Sequence, residues 1–397
     1  MTQTNSSWYI HNVNLVLEEQ VVAGGVLVKD GNIDTIIPKD SESGEVLQGD
    51  VARIDGKGGW LLPGFIDMHV HGGFGGDFMN ADRESYDRIT RFHASNGTTG
   101  MLATTMTASK EAIEAVLNAV TSYQEAGMPY AALIGVHLEG PFISEKWPGA
   151  QNPAYIIDPQ LDWLKSWKAT HPGLIKMLTL APERQGAVEA IAWMAENGII
   201  AAAGHTDAYY KDIIAAADAG LSHAVHTYNA MRGLHHREPG TLGAVLSDDR
   251  IYAEIIADGE HVHPAAIAIL LASKPLDKVI LVTDAIEAAG MPDGTYELGG
   301  LAVVVKNGTA RLREGNNLAG SSLTMIKAFR YILEHTKLNI VDVSRLASGN
   351  PARELRIFDQ TGSIAEGKYA DLVLTNAELS VEQTWVRGRS VFCKDEI

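Results

Sequence analysis

The feature that most constrains this chain is a rhythm that fills residues 57 to 358: short apolar runs alternating with helical patterns. The runs lie near 61–71, 99–105, 131–139, 174–182, 199–205, 223–228, 252–258 and 278–284. Each is short and nearly all apolar, as expected of a parallel strand buried on both faces. Helical patterns separate most of them, at 81–95, 108–125, 187–196 and 209–219. This alternation predicts an α/β fold, a closed (β/α)₈ TIM-type barrel, with an open doubly wound sheet as the alternative. A glycine-rich, β-like insert at 290–320 interrupts the last unit, ahead of a helix at 323–335.

The flanks read differently. Residues 8 to 55 alternate apolar and polar, with turn signals at Asp30-Gly31 and Gly44. The tail behaves likewise around Ala370-Asp371-Leu372-Val373-Leu374 and from Trp385 to Phe392. Neither flank is long enough for a domain alone. Together, 1–56 and 359–397 predict one small β-sandwich domain, with the barrel domain, 57–358, inserted between them.

Composition narrows the chemistry. The one cysteine, Cys393, excludes a disulfide framework and suits a reducing compartment. It also leaves histidine and carboxylate as the ligands for any metal. The opening residues, Met1 to Ile10, carry no signal-like segment, and no run is long enough to span a bilayer, so the expected location is cytoplasmic. A formal net charge of −17 argues against nucleic acid as a partner and means that an anionic substrate needs a local basic cluster.

Ligand-type residues gather where five of the predicted strands end: Asp67, His69 and His71; His137 and Glu139; His205 and Asp207; His223 and His226; and Asp284. In a barrel these C-terminal ends converge on one face. His69 and His71, two apart on a strand, point the same way and can face one ion. Taken singly, each residue has a plainer explanation: His-x-His pairs are often surface residues, and an Asp after an apolar run is usually a helix N-cap. His137 and His223 read as packed, hydrogen-bonded core histidines. Five strand ends together point to a divalent-metal site for Zn²⁺ or Fe²⁺, with one or two ions per subunit.

A family resemblance enters here. Pro63-Gly64-Phe65-Ile66-Asp67-Met68-His69-Val70-His71-Gly72 resembles the opening motif of the amidohydrolase superfamily. His137-Leu138-Glu139-Gly140-Pro141-Phe142 and Gly204-His205-Thr206-Asp207-Ala208 resemble the N-acetylglucosamine-6-phosphate deacetylases. So do His226-Thr227-Tyr228-Asn229-Ala230-Met231, Arg237-Glu238-Pro239-Gly240, Asp258-Gly259-Glu260-His261 and Leu281-Val282-Thr283-Asp284-Ala285. The resemblance implies Glu139, His205 and His226 as the main metal ligands and Asp284 as the acid/base. It implies Asn229, Ala230, Arg237 and His261 as contacts to a phosphorylated N-acetyl amino sugar, with the arginine reaching across a homodimer interface. Gln151 and Leu318 complete the candidate substrate-binding set. Some members replace the His-x-His pair by Gln and Asn and hold one metal; this chain keeps His69 and His71. Some carry a histidine where this chain has Gln151.

The expected reaction is metal-assisted hydrolysis of an acetamide, with Asp284 moving the proton and the cluster Arg232, His235, His236 and Arg237 supplying positive charge for the phosphate. The competing readings are another amidohydrolase, of cyclic-amidase or aminoacylase type, and a barrel that binds without catalysing. No lysine sits at the end of strand 4, where carboxylated-lysine members place one, since Lys176 falls too early, and no site residue is missing.

Overall fold

The computed structural model describes residues 7–41 and 51–396; the turn signal at Gly44 lies outside the described residues. The apolar runs form eight parallel strands, each hydrogen-bonded to the next: Phe65–Val70, Thr98–Thr105, Ala132–Glu139, Ile175–Leu180, Ile200–Ala203, His223–Ala224, Tyr252–Ile256 and Val279–Val282. Their side chains are apolar because both faces are covered: Phe65, Met68, Met101, Leu178, Ala202 and Leu281 are fully buried. The expected helices are Arg83–Ala94, Lys110–Glu125, Ala187–Glu196, Tyr210–Asp218 and Met325–His335. Leu161–Thr170, Gly240–Ser247 and Pro264–Ser273 fill the remaining strand-to-strand connections.

The ring closes between the first and last strands. Asp284 N–H donates to His69 O at 2.8 Å, His71 N–H donates to Ala285 O at 2.8 Å, and Val70 bridges Ala285 in parallel. The backbone of three candidate site residues therefore forms part of the barrel seam.

Two expected strands differ from the sequence reading. The run 61–71 breaks at Gly64. Trp60–Pro63 pairs with Leu372–Thr375 and Trp8–Val16, and only Phe65–Val70 enters the barrel. A Cβ at Gly64 would lie 2.1 Å from Thr99 Oγ1, so only glycine fits where the chain passes from one sheet to the other. The run 223–228 yields a strand of two residues, because His226, Tyr228 and Ala230 turn the backbone through positive φ.

Both chain flanks build one continuous eight-stranded sheet that includes Trp60–Pro63. It curls until Ile33 N–H donates to Lys368 O at 2.8 Å, enclosing a core in which Trp8 stacks on Trp385 at 5.0 Å. The insert forms a three-stranded antiparallel sheet, Gly294–Leu298, Leu301–Lys306 and Thr309–Leu312, packed on Met106 and Ile286. Among the described residues no helix is long and apolar enough to cross a membrane.

Candidate metal centre and substrate cavity

The C-terminal ends of the strands bring His69, His71, Glu139, His205, His226 and Asp284 together. Glu139 lies at the centre. Its Oε1 is 3.1 Å from Nε2 of both His205 and His226 and 3.3 Å from His69 Nε2. Its Oε2 is 3.2 Å from His71 Nε2, and Asp284 Oδ1 stands 3.3 Å from that same nitrogen. Two donor triads result, Glu139–His205–His226 and His69–His71–Asp284.

The tautomers decide what this arrangement can hold. His205 Nδ1 lies 2.9 Å from Trp147 O and His226 Nδ1 lies 3.2 Å from Asn229 O. A carbonyl only accepts, so both Nδ1 atoms carry the proton. In neutral rings both Nε2 atoms then present bare lone pairs, 3.1 Å apart, beside a carboxylate oxygen. Three ligand atoms so placed, with both Nδ1 protons directed away, can hold a cation. His69 repeats the pattern: Nδ1 donates to Glu254 Oε2 at 2.9 Å, and its buried Nε2 has no hydrogen-bond partner. This carboxylate–histidine arrangement is how metal-binding imidazoles are commonly oriented.

The local backbone is adapted to the task. His205, His226 and Asp284 adopt φ of 48°, 31° and 49°, a left-handed conformation unusual for residues with a side chain. Such conformations cluster at functional sites, where the surrounding fold holds them. Asp284 is not a helix N-cap: the next helix, Met325–His335, follows Thr324.

Electrostatics match the geometry. Burial opposes charge on Glu139, but the positive charge that the neighbouring imidazoles, His69 foremost, present to it holds its pKa well below the carboxylate range. Burial likewise opposes ionisation of Asp284, and His69 and His71 outweigh it, lowering its pKa. The charged form is therefore the resting state of both acids.

A cavity of about 430 Å³ opens over the centre. Its walls include His71, Glu139, His205, His226 and Asp284, together with Asn229, Ala230, His261, Gln151 and Leu318. His69 lies behind the wall, fully buried. Arg237 is exposed, with its guanidinium 2.8 Å from His236 Nε2, and is not part of the cavity of its own chain.

A family model described as "Amidohydrolase family" matches residues 60–391. An N-acetylglucosamine-6-phosphate deacetylase of Bacillus subtilis is 40% identical, covering 98% of each chain. An N-acetylgalactosamine-6-phosphate deacetylase of Escherichia coli O157:H7 is 38% identical over 83% of this chain and 87% of that one. A Mycobacterium smegmatis N-acetyl-D-glucosamine-6-phosphate deacetylase mutant, solved in complex with N-acetyl-D-glucosamine-6-phosphate, superposes with a TM-score of 0.90. It is 32% identical, and the match covers 97% of this chain and 99% of that one. The chain belongs to the amidohydrolase family, among its N-acetylglucosamine-6-phosphate deacetylases.

As an amidohydrolase with this donor set, the protein carries a divalent-metal site. Several groups that support it were not singled out from the sequence. Glu254, fully buried on the seventh strand, accepts from His69 Nδ1 and from His223 Nε2, both at 2.9 Å, and from His226 N–H at 3.1 Å. Trp147 contributes its carbonyl to His205, and Lys146 joins the cavity wall, ion-paired with Asp207 at 3.1 Å. His137 and His223 are core histidines as expected, His137 donating to or accepting from Thr179 Oγ1 at 2.7 Å. The expected basic cluster is smaller than its sequence suggests. Arg232 pairs with Asp207 at 2.6 Å and lies over the Tyr209 ring, so its charge is already matched.

Proposed function

We propose that this amidohydrolase hydrolyses N-acetyl-D-glucosamine 6-phosphate to D-glucosamine 6-phosphate and acetate. The observation that carries the reading is the convergence of His205 Nε2, His226 Nε2 and Glu139 Oε1 on one point of the cavity floor, with both Nδ1 atoms turned to backbone carbonyls. We assign these three residues as the main metal ligands. A bound divalent ion there supplies Lewis acidity, activating water and polarising the acetamide carbonyl. Imidazole and carboxylate donors suit Zn²⁺ or Fe²⁺, and His69, His71 and Asp284 offer a place for a second ion.

Asp284 is the proton carrier in this reading. Its lowered pKa keeps it ionised and ready to accept. It takes a proton from the attacking water as the new C–O bond forms. It then passes that proton to the amide nitrogen as the C–N bond breaks, so that a neutral amine leaves. Asn229, Ala230 and Leu318 form the sugar-facing wall, and His261 serves as a polar contact. Burial opposes protonation of His261, but Asp258 Oδ2, 2.7 Å from its Nδ1, outweighs it and raises its pKa, favouring a cationic ring suited to an anion. Arg237, exposed in its own chain, is assigned to the phosphate of a partner subunit's substrate in a homodimer. The single cysteine supports a reducing, cytoplasmic setting.

The Escherichia coli relative makes the galactosamine epimer the second reading. Acetate release from both N-acetylhexosamine 6-phosphates and from unphosphorylated N-acetylglucosamine decides between them. Highest kcat/KM on the glucosamine compound is expected; preference for the epimer would reassign the substrate, and activity on neither would reject the proposal.

A further inference from the structure

Gln151 lines the cavity, yet both ends of its amide are engaged within the protein. Its Oε1 accepts from Thr107 N–H at 2.7 Å, and its Nε2 donates to Glu139 Oε2 at 2.5 Å. The residue is 3% exposed. Thr107 Oγ1 donates in turn to Glu139 O at 3.1 Å, so Gln151 and Thr107 grip the side chain and the backbone of the same residue. A carboxylate on one strand end has two free torsions before its plane is set. The amide fixes that plane, leaving Oε1 turned to His205 and His226. Four residues earlier, the same loop holds the other side of the centre, where Trp147 O receives the His205 Nδ1 proton.

We infer that Gln151 is a positioning residue for Glu139, holding the carboxylate in the orientation that binds the ion, and not a contact to the sugar. The inference rests on the metal-site reading above, but not on which sugar the enzyme takes. Outer-shell partners of this kind influence metal affinity by roughly 10- to 100-fold. A substrate contact would instead influence KM.

The test is Gln151→Met, which keeps the length of the side chain and removes both hydrogen bonds. Zn²⁺ affinity is measured by competition with a chromogenic chelator, and the Co²⁺-substituted protein is compared by its visible spectrum. We expect Zn²⁺ affinity to fall roughly 10- to 100-fold with an altered Co²⁺ spectrum, while KM at saturating metal stays within about threefold of wild type. Unchanged metal affinity would overturn the inference, whether KM is unchanged or rises. If Gln151→Met does not fold, as judged by circular dichroism, Gln151→Asn decides. Its amide is too short to span Thr107 N–H and Glu139, so the same fall is expected and unaltered affinity refutes the role. The metal measurements need no substrate, so absence of acetate release by wild type would reject the proposed reaction and leave this test standing.

Discussion

Replacing Glu254 by Gln tests whether the metal centre depends on a charge hidden beneath it. The carboxylate is fully buried and accepts three hydrogen bonds, two from imidazoles at 2.9 Å and one from His226 N–H at 3.1 Å. Burial opposes its ionisation, but His69 and His223 hold its pKa well below the ordinary range. Burial also opposes charge on His223, yet Glu254 and Glu354 raise its pKa to about 9. Glutamine keeps the shape but removes the negative charge, and only its oxygen can accept. One imidazole N–H must then face an NH₂ group. Removing one partner of a buried pair costs about 3–5 kcal/mol, because the other is left uncompensated. The loss should appear as a lower guanidinium midpoint for the metal-free protein at unchanged slope. His69 would lose the acceptor that orients its ring, so metal affinity should drop roughly 10- to 100-fold as well. A stability change below about 1 kcal/mol with wild-type metal binding would refute the reasoning.

Further outcomes follow from individual residues. Asp284→Asn should lower kcat by roughly 10²- to 10⁴-fold in folded, metal-loaded protein, and turnover within a few-fold of wild type would assign the proton to another group. Arg237→Ala should cost about 2–5 kcal/mol in kcat/KM on the phosphorylated sugar and far less on N-acetylglucosamine. Equal losses on both substrates, or a monomer by light scattering, would contradict the intersubunit role. Replacing His69 and His71 together by Ala should remove one ion and leave one at Glu139, His205 and His226; elemental analysis finding a single tightly held ion in metal-replete wild type would contradict the second site.

What the sequence made legible follows from where each residue acts. The barrel was readable because stretches such as Met101 to Ala103 and Val279 to Val282 are buried on both faces and are apolar throughout. The residues that converge were readable because ligand types followed the apolar runs, where a barrel collects them. Glu254 gave a weaker signal, an acid inside a strand, and its meaning needs the distant His69 and His223. Trp147 acts through its carbonyl, so its identity carries no hint. Arg232 stands in a basic run of the sequence, but Asp207, from another strand end, pairs with it. The break at Gly64 depends on Thr99, and sequence does not reveal that neighbour. Gln151 enters the candidate substrate set because it stands where some family members carry a histidine, but Glu139 and Thr107 engage both ends of its amide, and neither partner is near it in sequence.

The central claim is that a metal held at Glu139, His205 and His226 makes this barrel a deacetylase. The direct measurement is acetate release from N-acetylglucosamine 6-phosphate by protein stripped with a chelator and then reloaded with Zn²⁺ or Fe²⁺. The account predicts that activity disappears with the metal and returns with it, yielding one glucosamine 6-phosphate for each acetate. Undiminished acetate release from protein shown by elemental analysis to be metal-free would contradict it.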